Sequence, residues 1–204
     1  MAITRESVRL NGSMEIPAQR AAETASSHGA VMTTHAARFF AVLRVAVGFV
    51  FLWAFLDKTF GLGYTTSSAR AWINGGSPTK GFLSSVAVGP LESTFQSWAG
   101  DAWADWLFMA ALLGIGAALI LGVALRAAAV SGTVLMLLMW AAEWPLAQFT
   151  SAGEPSGSTN PIVDYHIIYA LALIAVAVTY AGNTWGLGRV WARLPFVKRN
   201  HWLL

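Results

Sequence analysis

Trp106-Leu107-Phe108-Met109-Ala110-Ala111-Leu112-Leu113-Gly114-Ile115-Gly116-Ala117-Ala118-Leu119-Ile120-Leu121-Gly122-Val123-Ala124-Leu125 is a run of twenty residues without a single charge. Wound as an α-helix it reaches about 30 Å, the thickness of a bilayer's hydrocarbon core. No face of such a helix can be kept wet, so it reads as a membrane span. Arg126 marks its end. Ala110, Gly114, Ala118 and Gly122 recur every fourth residue, which puts a ridge of small side chains on one face. Such a ridge lets a second helix approach closely. That partner is either a helix of this chain or a second copy, which makes Gly114, Ala118 and Gly122 a candidate homo-oligomer face.

Working outward, three more runs have this character. A tight turn at Arg126 leads into 127–144, which carries Glu143 near its end and closes at Pro145. Upstream, 39–56 is interrupted only by Arg44, with Arg38 before it and Asp57-Lys58 after it. Downstream, a run over 162–185 starts near Pro161. The expected fold is therefore all-α: an integral membrane four-helix bundle. Composition agrees. Hydrophobic residues make up 56%, charged residues 11%, and the mean hydropathy is +0.55. A soluble domain carries roughly a quarter charged residues. The ten tryptophans suit a membrane interface.

The connecting stretches differ in kind. Residues 57–105 are too long for a turn and too broken to span. Ser77 before Pro78 reads as a helix start. Leu91, Phe95 and Trp98 form an apolar stripe on a short helix that Gly100 ends. We expect short interfacial helices there, capping the bundle. Residues 1–37 are polar and read as a flexible tail, with a chance glycosylation sequon at Asn11. Residues 186–204 form a basic tail. Arg126 and that tail place the termini in the cytoplasm and the loops 57–105 and 145–161 outside. The net charge of +3 comes from basic residues that mostly flank apolar segments, so membrane lipid rather than nucleic acid is the expected partner.

In that bundle the outer face collects Asp57, Lys58, Asp105, Glu143, Asn160, Asp164 and His166. Glu143 is the sharpest of them, because an ionisable group in a span is costly; Lys58 or His166 could partner it, or water could. His166 suits proton exchange, or it makes one structural hydrogen bond. Asp57 and Lys58 are either a functional pair or a helix end whose lysine answers the dipole. Arg44 either snorkels to the interface or holds a carboxylate, phosphate or quinone carbonyl. Trp72, Asn74 and Trp144 are candidates for an aromatic and turn-lined slot around a planar headgroup. Cysteine is absent, which excludes thiolate catalysis, iron–sulfur ligation and Cys-ligated haem. No metal is expected either, since a His–Asp pair two residues apart on a helix shares a face poorly.

Phe55-Leu56-Asp57-Lys58-Thr59-Phe60-Gly61-Leu62-Gly63, Ala71-Trp72-Ile73-Asn74-Gly75-Gly76-Ser77-Pro78-Thr79, and Asn160-Pro161 with Asp164-Tyr165-His166-Ile167-Ile168-Tyr169 together resemble the DoxX/DoxD family of small bacterial and archaeal membrane proteins. The resemblance covers roughly residues 38–185. It implies a four-span domain in the cytoplasmic membrane. Through the DoxD-type members it also implies a subunit of thiosulfate:quinone oxidoreductase, working with a separate DoxA-like subunit. The expected function is a quinone-linked redox subunit, with Glu143 and His166 handling protons and Lys58 attracting an anion. The rival expectations are a membrane scaffold that docks a partner and a small-solute permease.

Overall fold

The computed structural model describes residues 32–203. The expected tail and its sequon at Asn11 lie outside the described residues, except for the last few positions. The chain divides into two compact units, Met1–Ala36 and Ala37–Leu204. Of the first, the helix start is described: the Ala36 N–H donates to the Thr33 hydroxyl at 3.2 Å.

The described residues are helical, with only an isolated bridge between Phe149 and Pro155. Three helices are long and apolar enough to cross a membrane: α1 (Thr34–Phe60), α4 (Ala102–Leu121) and α5 (Leu125–Glu143). Between α1 and α4 lie 3-10 turns at Ser68–Arg70 and Trp72–Asn74 and two short helices, α2 (Lys80–Leu83) and α3 (Glu92–Ser97). After α5 come α6 (Tyr165–Val178), a 3-10 turn at Ala181–Asn183, α7 (Gly188–Trp191) and α8 (Pro195–Arg199). The long helices point Phe39, Phe49, Leu107, Val134 and Leu138 outward. A water-soluble helix would reserve that face for polar groups, so the outer surface matches lipid.

The helix ends follow local chemistry. Helix α1 stops where Gly61 takes φ +65°, its N–H returning to the Asp57 carbonyl at 2.8 Å. Helix α4 stops at Gly122 (φ +73°), earlier than the apolar run does. The α6 helix has 14 residues, about 21 Å, against the 162–185 expected from hydropathy. Asp164 caps its start by accepting from the His166 and Ile167 N–H groups. Tyr180 at φ +49° breaks the regular backbone at the other end. Hydropathy registers neither signal. The expected basic tail is folded into α7 and α8, with Val197 fully buried.

Four helices contribute to one buried apolar cluster. Val47 and Phe51 come from α1, Met109, Leu112, Ile115 and Leu119 from α4, Ala128 and Met136 from α5, and Ala170, Leu173 and Val176 from α6. Glycines set the closest approaches. A Cβ on Gly48 would sit 2.8 Å from the Leu119 Cβ, and one on Gly116 would sit 2.7 Å from the Leu52 backbone nitrogen. These two bring α1 against α4. Gly114 has open space where its Cβ would be.

One end of these helices is tied by Arg44, which is fully buried. Its guanidinium donates to the carbonyls of Leu119, of Ile120 at 2.9 Å and of Trp185 at 3.0 Å. It therefore does not snorkel. It occupies the carbonyl end of α4, where the helix dipole favours a cation. Gly122 and Gly186 make room for it: a Cβ on either would lie 3.1 Å from a guanidinium nitrogen. The chain direction of the four helices puts Asp57, Asp105, Glu143 and Asp164 at the opposite end.

Candidate functional site

At the Glu143 end the polar residues divide into anchors and a site. Asp57 is an anchor. Its carboxylate accepts from the N–H groups of Tyr64, Thr65 and Thr66 and from the Thr65 hydroxyl at 2.7 Å, folding the segment after α1 back onto it. Asp105 is a second anchor. Its Oδ1 accepts from the hydroxyls of Ser77 and Thr79 and from the Thr79 N–H, between 2.6 and 3.0 Å. Ser77 in turn accepts from the Lys80 N–H at 3.1 Å, which starts the turn into α2. Each of these buried carboxylates accepts several hydrogen bonds from the segment it holds, the usual state of a buried polar group with a structural role.

Four expected site residues sit with these anchors or apart from the site. The Lys58 ammonium lies 5.8 Å from the centroid of the Phe108 ring. Trp72 stacks edge-on against Trp106 at 4.6 Å and packs on the core. Asn74 donates to the Ser68 carbonyl at 2.8 Å and is exposed. Arg44 is at the far end, engaged with carbonyls.

Glu143, Asp164 and His166 are brought together. Glu143 is the last residue of α5 and is exposed, so it ends the helix rather than lying within it. Its partner is neither Lys58 nor His166 but the Tyr165 hydroxyl, 2.8 Å from Oε1. Asp164 divides its carboxylate. Oδ1 caps α6, and Oδ2 lies 2.8 Å from His166 Nδ1. The His166 side chain is fully buried, and its Nε2 has no partner among the described residues. Leaving such a nitrogen unpaired costs on the order of 1–3 kcal/mol. The geometric objection to Asp164 working with His166 does not hold, because Asp164 precedes the helix and reaches its ring from the cap.

Glu143, Asp164 and Tyr165 border a cavity of about 530 Å³. Its walls come from Phe82 to Val88 of the α2 segment, from Ala142 and Glu143, from the 145–160 loop, and from Asp164 and Tyr165. The loop and the α2–α3 segment are tied together. The Ser151 N–H donates to the Ala87 carbonyl at 2.8 Å and the Ser151 hydroxyl to Glu92 at 2.6 Å. Trp144 backs the wall, since a Cβ on Gly89 would meet its side chain at 2.9 Å. Sequence reasoning missed Tyr165 as the partner of Glu143 and missed the serines that line the cavity. Residues 22 positions apart with no shared pattern leave no signal of their contact.

The arrangement defines an all-helical protein with three apolar helices fit to cross a membrane and a polar cavity at one end of them. No protein-family model, curated protein or solved structure matches the chain.

Proposed function

We propose that this chain is the membrane subunit of a quinone-linked oxidoreductase and that the quinone headgroup enters the cavity beside Glu143. The observation carrying this reading is the cavity itself. At about 530 Å³ it falls in the size range of small-molecule sites. It is apolar at Phe82, Val86 and Val88 and polar at Glu143, Tyr165 and Asp164. A planar ring with two carbonyl oxygens needs that combination. Glu143 with Tyr165, and Asp164 with His166, would deliver the protons that quinone reduction consumes.

Thiosulfate is the donor to test first, with the resemblance to the DoxX/DoxD family as its support. Two thiosulfate dianions join through a new S–S bond to give tetrathionate and release two electrons. These electrons and two protons convert the quinone to its quinol. Glu143 and Asp164 border the cavity, and among the described residues no Lys or Arg lines it. A dianion is disfavoured there, so the donor is assigned to a separate DoxA-like subunit and the quinone to this chain. With no cysteine in the chain, electrons reach the quinone directly from the donor or through that partner. The same reading arranges α1, α4, α5 and α6 as a four-helix bundle in a bacterial or archaeal cytoplasmic membrane. Both termini are cytoplasmic, and the short helices α2 and α3 lie at the outer interface.

The test is thiosulfate-dependent reduction of a short-chain quinone by the complex purified from its native membrane. Glu143→Gln and His166→Gln are expected to lose turnover while staying folded. Unchanged turnover in both variants removes the proton role. A scaffold reading is favoured by one observation: the groove between α4 and α5, walled by Ala110, Gly114, Ala118 and Ala127, is open. It predicts a stoichiometric partner that Gly114→Leu releases.

A further inference from the structure

We propose that Glu143, Asp164 and His166 form a binding site for a divalent transition-metal cation of the Zn²⁺ class. One carboxylate oxygen from each acid and one ring nitrogen of the histidine lie within 4.8 Å of one another. Ligand atoms in the tetrahedral shell of Zn²⁺, each about 2.0–2.2 Å from the metal, are about 3.3–3.6 Å apart. The widest pair here closes by up to about 1.5 Å to reach that spacing. Glu143, at the end of its helix, has the freedom to make that move.

The second observation is His166 itself. Its side chain is fully buried, its Nδ1 lies 2.8 Å from Asp164 Oδ2, and its Nε2 has no partner among the described residues. A cation held between Nδ1 and Oδ2 would take the place of the proton that pair now shares. The remaining atoms are arranged as metal sites arrange theirs. The Tyr165 hydroxyl donates to Glu143 Oε1, and two main-chain N–H groups hold Asp164 Oδ1, the kind of outer partner that orients a ligating carboxylate. Mixed imidazole and carboxylate donors suit Zn²⁺, Fe²⁺ or Mn²⁺ rather than a soft ion. Charge agrees: two carboxylates border the cavity, and among the described residues no Lys or Arg lines it. Serine and threonine hydroxyls along its wall at Ser85, Thr150, Ser156 and Ser158 give a hydrated ion a path inward.

This inference does not rest on the redox reading, and its readout is bound metal. The full chain, purified in mild detergent and stripped with EDTA, is incubated with Zn²⁺, desalted and analysed for metal. A competing chromophoric chelator gives the affinity. Wild type is expected to retain about one zinc per chain. Glu143→Gln, Asp164→Asn and His166→Gln are each expected to bind roughly tenfold or more weakly. Asp164→Asn is the decisive variant, because asparagine still caps a helix and leaves the fold intact. Wild type that retains no zinc, or variants that match it, overturn the site whatever the turnover. Bound zinc lost in Asp164→Asn supports it even in a preparation that reduces no quinone.

Discussion

A methyl group added at Gly182 tests the packing at the Arg44 end directly. A Cβ there would lie 2.1 Å from the Gly122 carbonyl oxygen and 2.9 Å from its carbon. Both are backbone atoms, so no rotamer relieves the contact, and the two segments must separate by about an ångström. Two interactions cross that gap. The Leu187 N–H donates to the Leu121 carbonyl at 2.8 Å, and Arg44 donates to the Trp185 carbonyl at 3.0 Å. An ångström of separation breaks both. A main-chain bond contributes about 1 kcal/mol and a bond from a charged donor about 2 kcal/mol. Gly182→Ala should therefore lose about 3 kcal/mol, which for a chain of this size lowers Tm by roughly 6–12 °C. The assay is thermal unfolding in mild detergent, followed by tryptophan fluorescence. Gly114→Ala is the control. Its Cβ meets nothing within 4 Å, and alanine is the better helix former, so it should melt at or slightly above wild type. A Gly182→Ala protein melting with wild type, or a Gly114→Ala protein falling as far, would refute the packing argument.

Other perturbations separate anchors from the site. Asp105→Ala removes the acceptor for Ser77 and Thr79 and should destabilise by about 2–4 kcal/mol. Hydrogen exchange should quicken over residues 77–83, while quinone binding weakens only through that loosening. Asp57→Ala should release residues 64–66 to limited proteolysis without changing zinc retention. Gly89→Ala puts a Cβ against Trp144 at a backbone of φ +108°, and should shift tryptophan emission and reduce quinone reduction. Tyr165→Phe removes the hydrogen bond to Glu143 and should lower turnover less than Glu143→Gln does, since it leaves the carboxylate in place.

The three long helices were legible because twenty uncharged residues leave a membrane as the only comfortable solvent for a helix. Their ends were less so. Hydropathy carried the last run out to Trp185, but the Asp164 cap and the positive φ at Tyr180 shorten the helix to 14 residues. On the small-residue ridge, a Cβ at Gly122 would meet Gly182 and the Arg44 guanidinium, whereas one at Gly114 would meet nothing within 4 Å. Gly48 and Gly116 make the close contact with α1, and which face a partner occupies is a tertiary fact. Arg44 was recognised as out of place in an apolar run. That its partners are the carbonyls of Leu119, Ile120 and Trp185 depends on where α4 stops, and Gly122 decides that. In the polar set, Glu143, Asp164 and His166 were singled out individually. Their grouping apart from Asp57 and Lys58 came from loop folding that no local pattern encodes.

The most direct measurement is saturable binding of a short-chain quinone to the purified protein, read by quenching of tryptophan emission. Trp144 lies beside the cavity wall and serves as reporter. Ser85→Trp is the companion, since Ser85 is exposed, lines the cavity and hydrogen-bonds only locally to Phe82. The account predicts a binding curve that saturates in wild type and is lost when the introduced indole fills the space. Quenching that never saturates, or that is unchanged by Ser85→Trp, would contradict it.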